Sequence, residues 1–378
     1  MTMPPKCPVC GGTEIDLLRP DCIYIRHMDF QPMQSQPAGL AHCSECSAVF
    51  MADGDTIKEI QNIYAGVDYA RDKKTEHRVH NQRTDESNHT TYRAIADFLD
   101  GCYPADTPRV LDIGCFDGKL LIELERDCRG ADMHGYDVSP AIEERFPQRE
   151  NYTFHCGDLG DIPGTFDLIC IVNTLMYIED PADFMNDVDR LLKPDGHLFV
   201  LTPNTAINPC FLTLGDQTLY FSPDNLANFL RRFGFTAKIE AANASFPRSL
   251  LAIARRSDPG MGMQVSDIAF SAAATWLDEN VPRVRAAVAT ARATPKQGRV
   301  AILGCAHNAA WAFHAVDGNI DCFADENPAR VGTTFYGKPV LHPRELAADD
   351  TLVMPYGATS DAIHKKFGEI YQVQLVAV

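Results

Sequence analysis

Four cysteines carry the first recognisable chemistry in this chain. Cys7-Pro8-Val9-Cys10 and Cys43-Ser44-Glu45-Cys46 form two CxxC knuckles, and a two-residue spacer lets each pair of soft thiolates grip one tetrahedral ion. Four unrelated buried cysteines are the competing reading, which the doubled spacing disfavours. A closed four-sulfur site leaves no open coordination position, so the expected ion is a structural zinc. Cys22 reads as a small hydrophobe and His42 as a mere neighbour. A second constellation begins at "LDIGCFDGKLL", where Asp112 ends a strand, Gly114 lets the backbone approach a ligand and Gly118 opens a helix. The glycine spacing is neither the dinucleotide pattern GxGxxG nor a P-loop, which needs Lys followed by Ser or Thr. Asp137 follows at the next strand tip, twenty-five residues after Asp112, where an acid can accept from both hydroxyls of a ribose. Asp158 ends a third strand, where its carboxylate can meet an adenine amino group. Singly, an acidic strand tip is more often a helix cap; the ordered set says more.

A third cluster, Asp216-Gln217-Thr218, stands before the aromatic pair Tyr220-Phe221. It is either an active-site rim or only the turn that delivers a helix. That helix is announced by Ser222-Pro223-Asp224, with Leu226, Phe229 and Leu230 at helical spacing. The histidines show no metal-binding pattern such as HExxH. His77, His80 and His89 read as solvated or cofactor-rim groups, and His155 as structural. His307, after a later glycine turn, could reach a substrate, while Trp276 and Trp311 read as packing residues.

The elements that must position these groups fall into three segments. A cysteine module over 1–62 leads into a charged stretch from Asp53 to about Glu86. From 63 to 256 short apolar strands alternate with helices, the pattern of a parallel sheet covered on both faces, with its ligand beyond the carboxyl ends of the strands. "FTAKIE" and "SLLAIARR" close it as a pair of strands, the first a candidate to run antiparallel to its neighbour. From 257 to 378 a long helical stretch precedes a second α/β unit. Its Gly304 turn and the acidic tip Asp325-Glu326 leave open a second nucleotide site, but "GCAHNAAW" lacks the further glycines that a pyrophosphate needs. A docking domain that shapes the substrate cleft is the favoured reading there.

Composition bounds the partners. The chain has 378 residues, 45% hydrophobic and 22% charged, which suits a multidomain globular protein. A net charge of −17 works against a nucleic-acid partner. No apolar run reaches the roughly 18 residues of a membrane span, and the start "MTMPPKCPVC" has no apolar signal core. Thirteen cysteines in so long a chain are then expected as reduced thiols in a cytoplasm.

The ordered elements of the middle segment, with "LLKPDGHLFVLTPN" at the matching place, resemble the class I S-adenosylmethionine-dependent methyltransferases. By that resemblance Asp112, Gly114 and Gly118 line the methionine and ribose side, Asp137 holds the ribose, Asp158 and Leu159 hold the adenine, and Asn173 sits near the sulfonium. The whole layout is similar to the zinc-containing sugar C-methyltransferases: a two-CxxC module, a methyltransferase core and a smaller C-terminal Rossmann-like domain. Such enzymes of natural product biosynthesis methylate the carbon next to the ketone of a nucleotide-linked sugar. "GCAHNAAWAF", "ADENPARVGTTFYGKPVLHPREL" and "VMPYG" carry the likeness in the C-terminal part. The resemblance implies a tyrosine at Tyr64 or Tyr69, a histidine after the fourth strand and a Tyr-x-Glu-His run before "YFS". Here Tyr177 stands where that histidine is expected, and the run falls on Leu214, Gly215, Asp216 and Gln217. Asp216 keeps a carboxylate, but Gln217 cannot take a proton at neutral pH. Asp216 or Tyr177 then assumes the base role, or the acceptor is no ketone-activated carbon. Two alternatives follow: an O- or N-methyltransferase on the same scaffold, and a nonenzymatic S-adenosylmethionine-binding assembly module. The acceptor and the oligomeric state are left open.

Overall fold

The computed structural model describes residues 6–18, 23–27, 29–33, 36–37, 39–52, 58, 62, 64–65, 91–104, 106–128, 130–241, 243–257, 268–293, 298–356 and 360–378. Tyr69, Cys22, His77, His80 and His89 lie outside them. Strands β1 (Ile15–Leu18), β2 (Leu40–Cys43) and β3 (Val49–Met51) form an antiparallel meander. Helix α1 (Thr91–Phe98) then leads into the central unit. It comprises β4 (Arg109–Ile113), α2 (Lys119–Glu125), β5 (Asp132–Tyr136), β6 (Tyr152–His155), β7 (Phe166–Val172), α3 (Pro181–Leu191), β8 (Leu192–Pro203), β9 (Leu219–Tyr220), α4 (Pro223–Arg232), β10 (Phe235–Glu240) and β11 (Ser249–Arg256).

The strand order β10-β11-β8-β7-β4-β5-β6 makes a seven-stranded sheet. Pairs from β6 through β8 are parallel, while β11 runs antiparallel to both β8 and β10. The first strand of the closing pair, β10, thus runs antiparallel to its neighbour β11, and β11 is inserted between β8 and β10, antiparallel to both. The apolar runs Val110–Ile113 and Leu168–Ile171 are buried because this mostly parallel sheet is covered on both faces. The chain runs outward from β4 to β6 and returns to β7 on the other side of β4, so the switch point lies between the ends of β4 and β7. In sheets of this winding that point is where a ligand crevice is expected.

The C-terminal unit begins with α5 (Ile268–Ala293) and continues through β12 (Val300–Leu303), α6 (His307–Ala315), β13 (Cys322–Ala324), β14 (Thr334–Phe335), β15 (Lys338–Leu341), β16 (Thr351–Met354), α7 (Ser360–Ile370) and β17 (Gln374–Ala377). Its sheet order, β14-β15-β13-β12-β16-β17, is again doubly wound. Here the crevice is closed by the chain itself. The Tyr356 hydroxyl donates to the Leu303 carbonyl at 3.2 Å and lies 2.4 Å from where a Cβ at Gly304 would project.

Two joints tie the units together. Strand β9 completes the first sheet by pairing with β3, Val49 opposite Tyr220 and Phe50 opposite Leu219. One apolar cluster gathers Ile25 and Phe30, Cys210, Phe211 and Leu214, and Trp311 with Phe323. Trp276 packs on Trp311 at 5.1 Å between ring centroids. The central packing admits a direct check. A Cβ added at Gly135 would sit 2.3 Å from the Phe146 ring and 2.7 Å from Cys115 Sγ. Gly135→Ala should therefore lower stability by about 1–3 kcal/mol. Scanning calorimetry should show a lower unfolding midpoint; an unchanged one would contradict the β4–β5 packing described.

Candidate functional site

The four knuckle cysteines converge. Both knuckles end on a left-handed residue, Gly11 (φ 75°) and Ser47 (φ 62°), whose amides donate to the Cys7 and Cys43 carbonyls at 2.8 Å. This turn folds each CxxC so that both sulfurs face one point. Cys7 and Cys46 Sγ are 3.5 Å apart, Cys10 and Cys43 Sγ 3.6 Å, and all four lie within 4.8 Å of one another. A tetrahedral ion with bonds of about 2.3 Å needs sulfurs about 3.8 Å apart. The set fits. The contact with Cys46 holds the Cys7 thiol below its ordinary pKa, while the same contact and burial push the Cys46 thiol up. So the bare cluster resists a second thiolate, and a divalent cation would remove that resistance.

At the central crevice Asp112 and Asp137 sit at the ends of adjacent parallel strands. Asp112 is buried, its Oδ1 has no hydrogen-bond partner among the described residues, and burial with the nearby Asp137 and Asp117 charges raises its pKa to about 7. Asp137 accepts from the Ser139 amide at 3.0 Å and the Phe116 amide at 3.3 Å. These bonds cap the turn. Gly114 (φ 79°) and Gly118 (φ 68°) both need the left-handed backbone. A Cβ at Gly114 would meet Thr174 Oγ1 at 2.0 Å, so the glycine also lets the turn after β7 close onto this loop. Asn173 opens that turn at φ 52°, a conformation Asn tolerates better than most residues. On the far side, exposed Asp158 caps a short turn by accepting from the Gly160 amide at 2.8 Å, with Leu159 buried behind it. Val138, 44% exposed between Asp137 and buried Ser139, offers a flat apolar surface that the sequence reading missed. The available signal was an aliphatic residue directly after a strand-tip acid.

The turn Leu175–Tyr177 links this crevice to a second cluster. The Tyr177 amide donates to the Thr174 carbonyl at 2.9 Å, and Thr218 Oγ1 donates to the carbonyls of Met176 and Ile178, each at 2.8 Å. Tyr64 packs its ring 4.5 Å from that of Tyr177 and donates its hydroxyl to Asp216 Oδ2 at 3.3 Å. Asp216 is 0% exposed, so it lies beneath the surface and not at an exposed rim. Burial pushes its pKa up to about 7 despite the hydrogen bonds it accepts. Its Oδ1 and the neighbouring Gln217 Nε2 have no partner among the described residues. His27 was not singled out from the sequence, yet its amide donates to Asp216 Oδ2 at 2.7 Å and its Nδ1 lies 3.3 Å from the Tyr177 hydroxyl. No local motif marks it. It arrives because Ile25 bridges Leu214 in parallel, with bonds to the Thr213 carbonyl and from the Gly215 amide. Gly215 is required there, since a Cβ would lie 2.7 Å from Met33 and 2.8 Å from Tyr24. His307 is buried, stacked on Phe211 at 4.8 Å and 3.0 Å from the Asn208 amide nitrogen.

Residues 87–238 match the family model described as a methyltransferase domain. A ubiquinone biosynthesis O-methyltransferase of Xylella fastidiosa is 29% identical over 124 residues, covering 29% of this chain and 48% of that protein. Its counterpart in Acinetobacter baumannii is 28% identical over 158 residues, covering 34% of this chain and 64% of that protein. The chain thus spans between about half and just under two thirds of the length of these relatives. Among solved structures, magnesium protoporphyrin IX methyltransferase from Synechocystis is similar at a TM-score of 0.40 and 17% identity, over 53% of this chain and 99% of that one. Residues 87–238 thus match a methyltransferase domain, and the sheet they build has a Rossmann-like winding.

Two outcomes test the geometry. Metal analysis of the purified chain should find about one divalent ion per chain, and Cys43→Ala should lose it and lower the unfolding midpoint. A metal-free wild type that is equally stable would dismiss the centre. For Asp112 the folded pKa lies above the unfolded carboxylate value, so the folded chain holds a proton that the unfolded chain has released. Stability from this group therefore falls as pH rises from about 4 to about 7. Asp112→Asn should raise the unfolding midpoint more at about pH 8 than at about pH 4; an equal shift at both would mean the carboxyl is not raised.

Proposed function

We propose that the protein is an S-adenosylmethionine-dependent methyltransferase whose small-molecule acceptor must lose a proton. The observation that carries this reading is the short link between its two clusters: one turn, Thr174 to Tyr177, joins the glycine loop to Tyr64, Tyr177 and Asp216. S-adenosylmethionine, when bound, supplies an electrophilic methyl group on a good leaving group, so the chain's task is positioning and deprotonation. Asp137 would accept from the ribose hydroxyls and Asp158 with Leu159 would hold the adenine, which can also rest on Val138. Asp112, Gly114, Gly118 and Asn173 would line the methionine side. Asp112 fits such a role because a donor from the ligand would satisfy its orphaned Oδ1 and favour its charged form. The four cysteines would hold zinc and thereby fix the N-terminal module that carries His27.

The favoured acceptor is the carbon next to a ketone in a nucleotide-linked sugar, a reading supported by the three-part layout over 1–62, 63–256 and 257–378. Tyr177 would then donate to the enolate oxygen. O-methylation is the second reading, favoured by the names of the relatives above. Methyl-labelled S-adenosylmethionine with a panel of nucleotide 4-ketosugars and phenols separates them. Label on carbon with exchange of the alpha proton is the expected result; label on oxygen selects the second reading. No transfer to any member, with S-adenosylhomocysteine still bound, would leave a binding module. Asp137→Ala should weaken S-adenosylhomocysteine by about tenfold or more, the loss of a charge-assisted pair of hydrogen bonds, as read by calorimetry. Unchanged affinity would put the cofactor elsewhere.

A further inference from the structure

We propose that His27, delivered by the cysteine module, is the proton acceptor of the reaction, and that Asp216 is its positioning residue. The inference rests on the methyltransferase reading. Asp216 is sealed from any acceptor, with Oδ2 already engaged by the His27 amide and the Tyr64 hydroxyl. Gln217 has no basic nitrogen, and a phenol at neutral pH keeps its own proton and is no base. The His27 side chain is exposed and lies 3.3 Å from Tyr177, on the turn that begins at the glycine loop. An imidazole titrates near neutrality and suits general-base work.

Its backbone is fixed at both ends of the approach. The Ile25–Leu214 bridge sets the register, and the Asp216 carboxylate holds the amide of His27 itself. The ring is oriented by Tyr177, with the Phe30 ring edge-on at 6.2 Å and the His307 ring at 6.5 Å. Base chemistry requires the tautomer in which Nδ1–H donates to the Tyr177 oxygen and Nε2 is bare. The acceptor's C–H or O–H bond then breaks, its proton goes to Nε2, and its electron pair is left for the incoming methyl group. The imidazolium returns the proton to water. Among the described residues, the titratable groups near His27 include Asp216 at its amide, Tyr177 and His307 at its ring, Tyr64 beyond Tyr177, and the Arg26–Asp29 ion pair on the same loop.

Two readouts on the full zinc-loaded chain test this. Nitrogen NMR of the His27 ring, with no acceptor present, should show Nδ1 protonated and Nε2 bare above its titration, and Tyr177→Phe should weaken that preference. The opposite tautomer in the wild type overturns the assignment. In the labelled-transfer assay with the nucleotide 4-ketosugars and phenols, His27→Gln and His27→Ala should each lower kcat by roughly a hundredfold or more. Affinity for S-adenosylhomocysteine and zinc content should not change. Added imidazole should restore His27→Ala in proportion to its free-base fraction, and the acidic limb of the wild-type pH profile should vanish in His27→Gln. Wild-type rates in His27→Gln, or a loss that imidazole does not restore, overturn the role of His27 alone. A wild type that transfers to no member of the panel removes the methyltransferase reading and this inference with it.

Discussion

A single buried carboxylate holds three parts of this protein in register. Asp216 has no exposed surface, and its Oδ2 accepts from the amide of His27 in the cysteine module and from the hydroxyl of Tyr64 in the segment that follows. Two residues on, Thr218 grips the carbonyls on either side of Tyr177, and Tyr220 pairs with Val49 of the first sheet. Removing an acid so fully from water is costly unless its lone pairs are satisfied, and the rise of its pKa to about 7 by burial registers that cost. The arrangement persists because Gly215 admits Tyr24 and Met33 against the backbone, so the two chain segments can run side by side.

The central sheet sets the other half of the site by topology. Parallel strands put all their carboxyl ends on one edge, and the reversal of winding between β4 and β7 leaves that edge open. Asp112 and Asp137 reach it from neighbouring strands, and Thr174 closes on Gly114 across the switch point. The C-terminal sheet has the same winding but plugs its own crevice with Tyr356. It meets the rest of the chain by packing instead: His307 stacks on Phe211 and meets Asn208, and Trp311 shares one apolar cluster with Ile25 and Leu214.

Much of the central loop and strand-tip geometry was legible in sequence because it is local. A strand-tip acid, a glycine with positive φ and a helix start are set within a few residues, so "LDIGCFDGKLL" announces them. The CxxC knuckles are legible for the same reason, since each turn needs only five residues. The antiparallel pairing of β10 was legible, but the place of β11 in the sheet was not. Strand direction there depends on which neighbour β11 pairs with, and β11 is inserted between β8 and β10 against chain order.

By itself the sequence determined the doubly wound sheets, the acids at the strand tips and the two cysteine turns, because hydrophobic period and turn chemistry act over short spans. Only the tertiary structure decided what Asp216 touches. The residues that meet it, His27 and Tyr64, lie 189 and 152 positions away, and no local pattern encodes a contact over that separation. Their meeting follows from β9 joining the first sheet and from the Ile25–Leu214 bridge. These pairings are made by backbone amides and carbonyls, groups that every residue carries and that no side-chain motif announces.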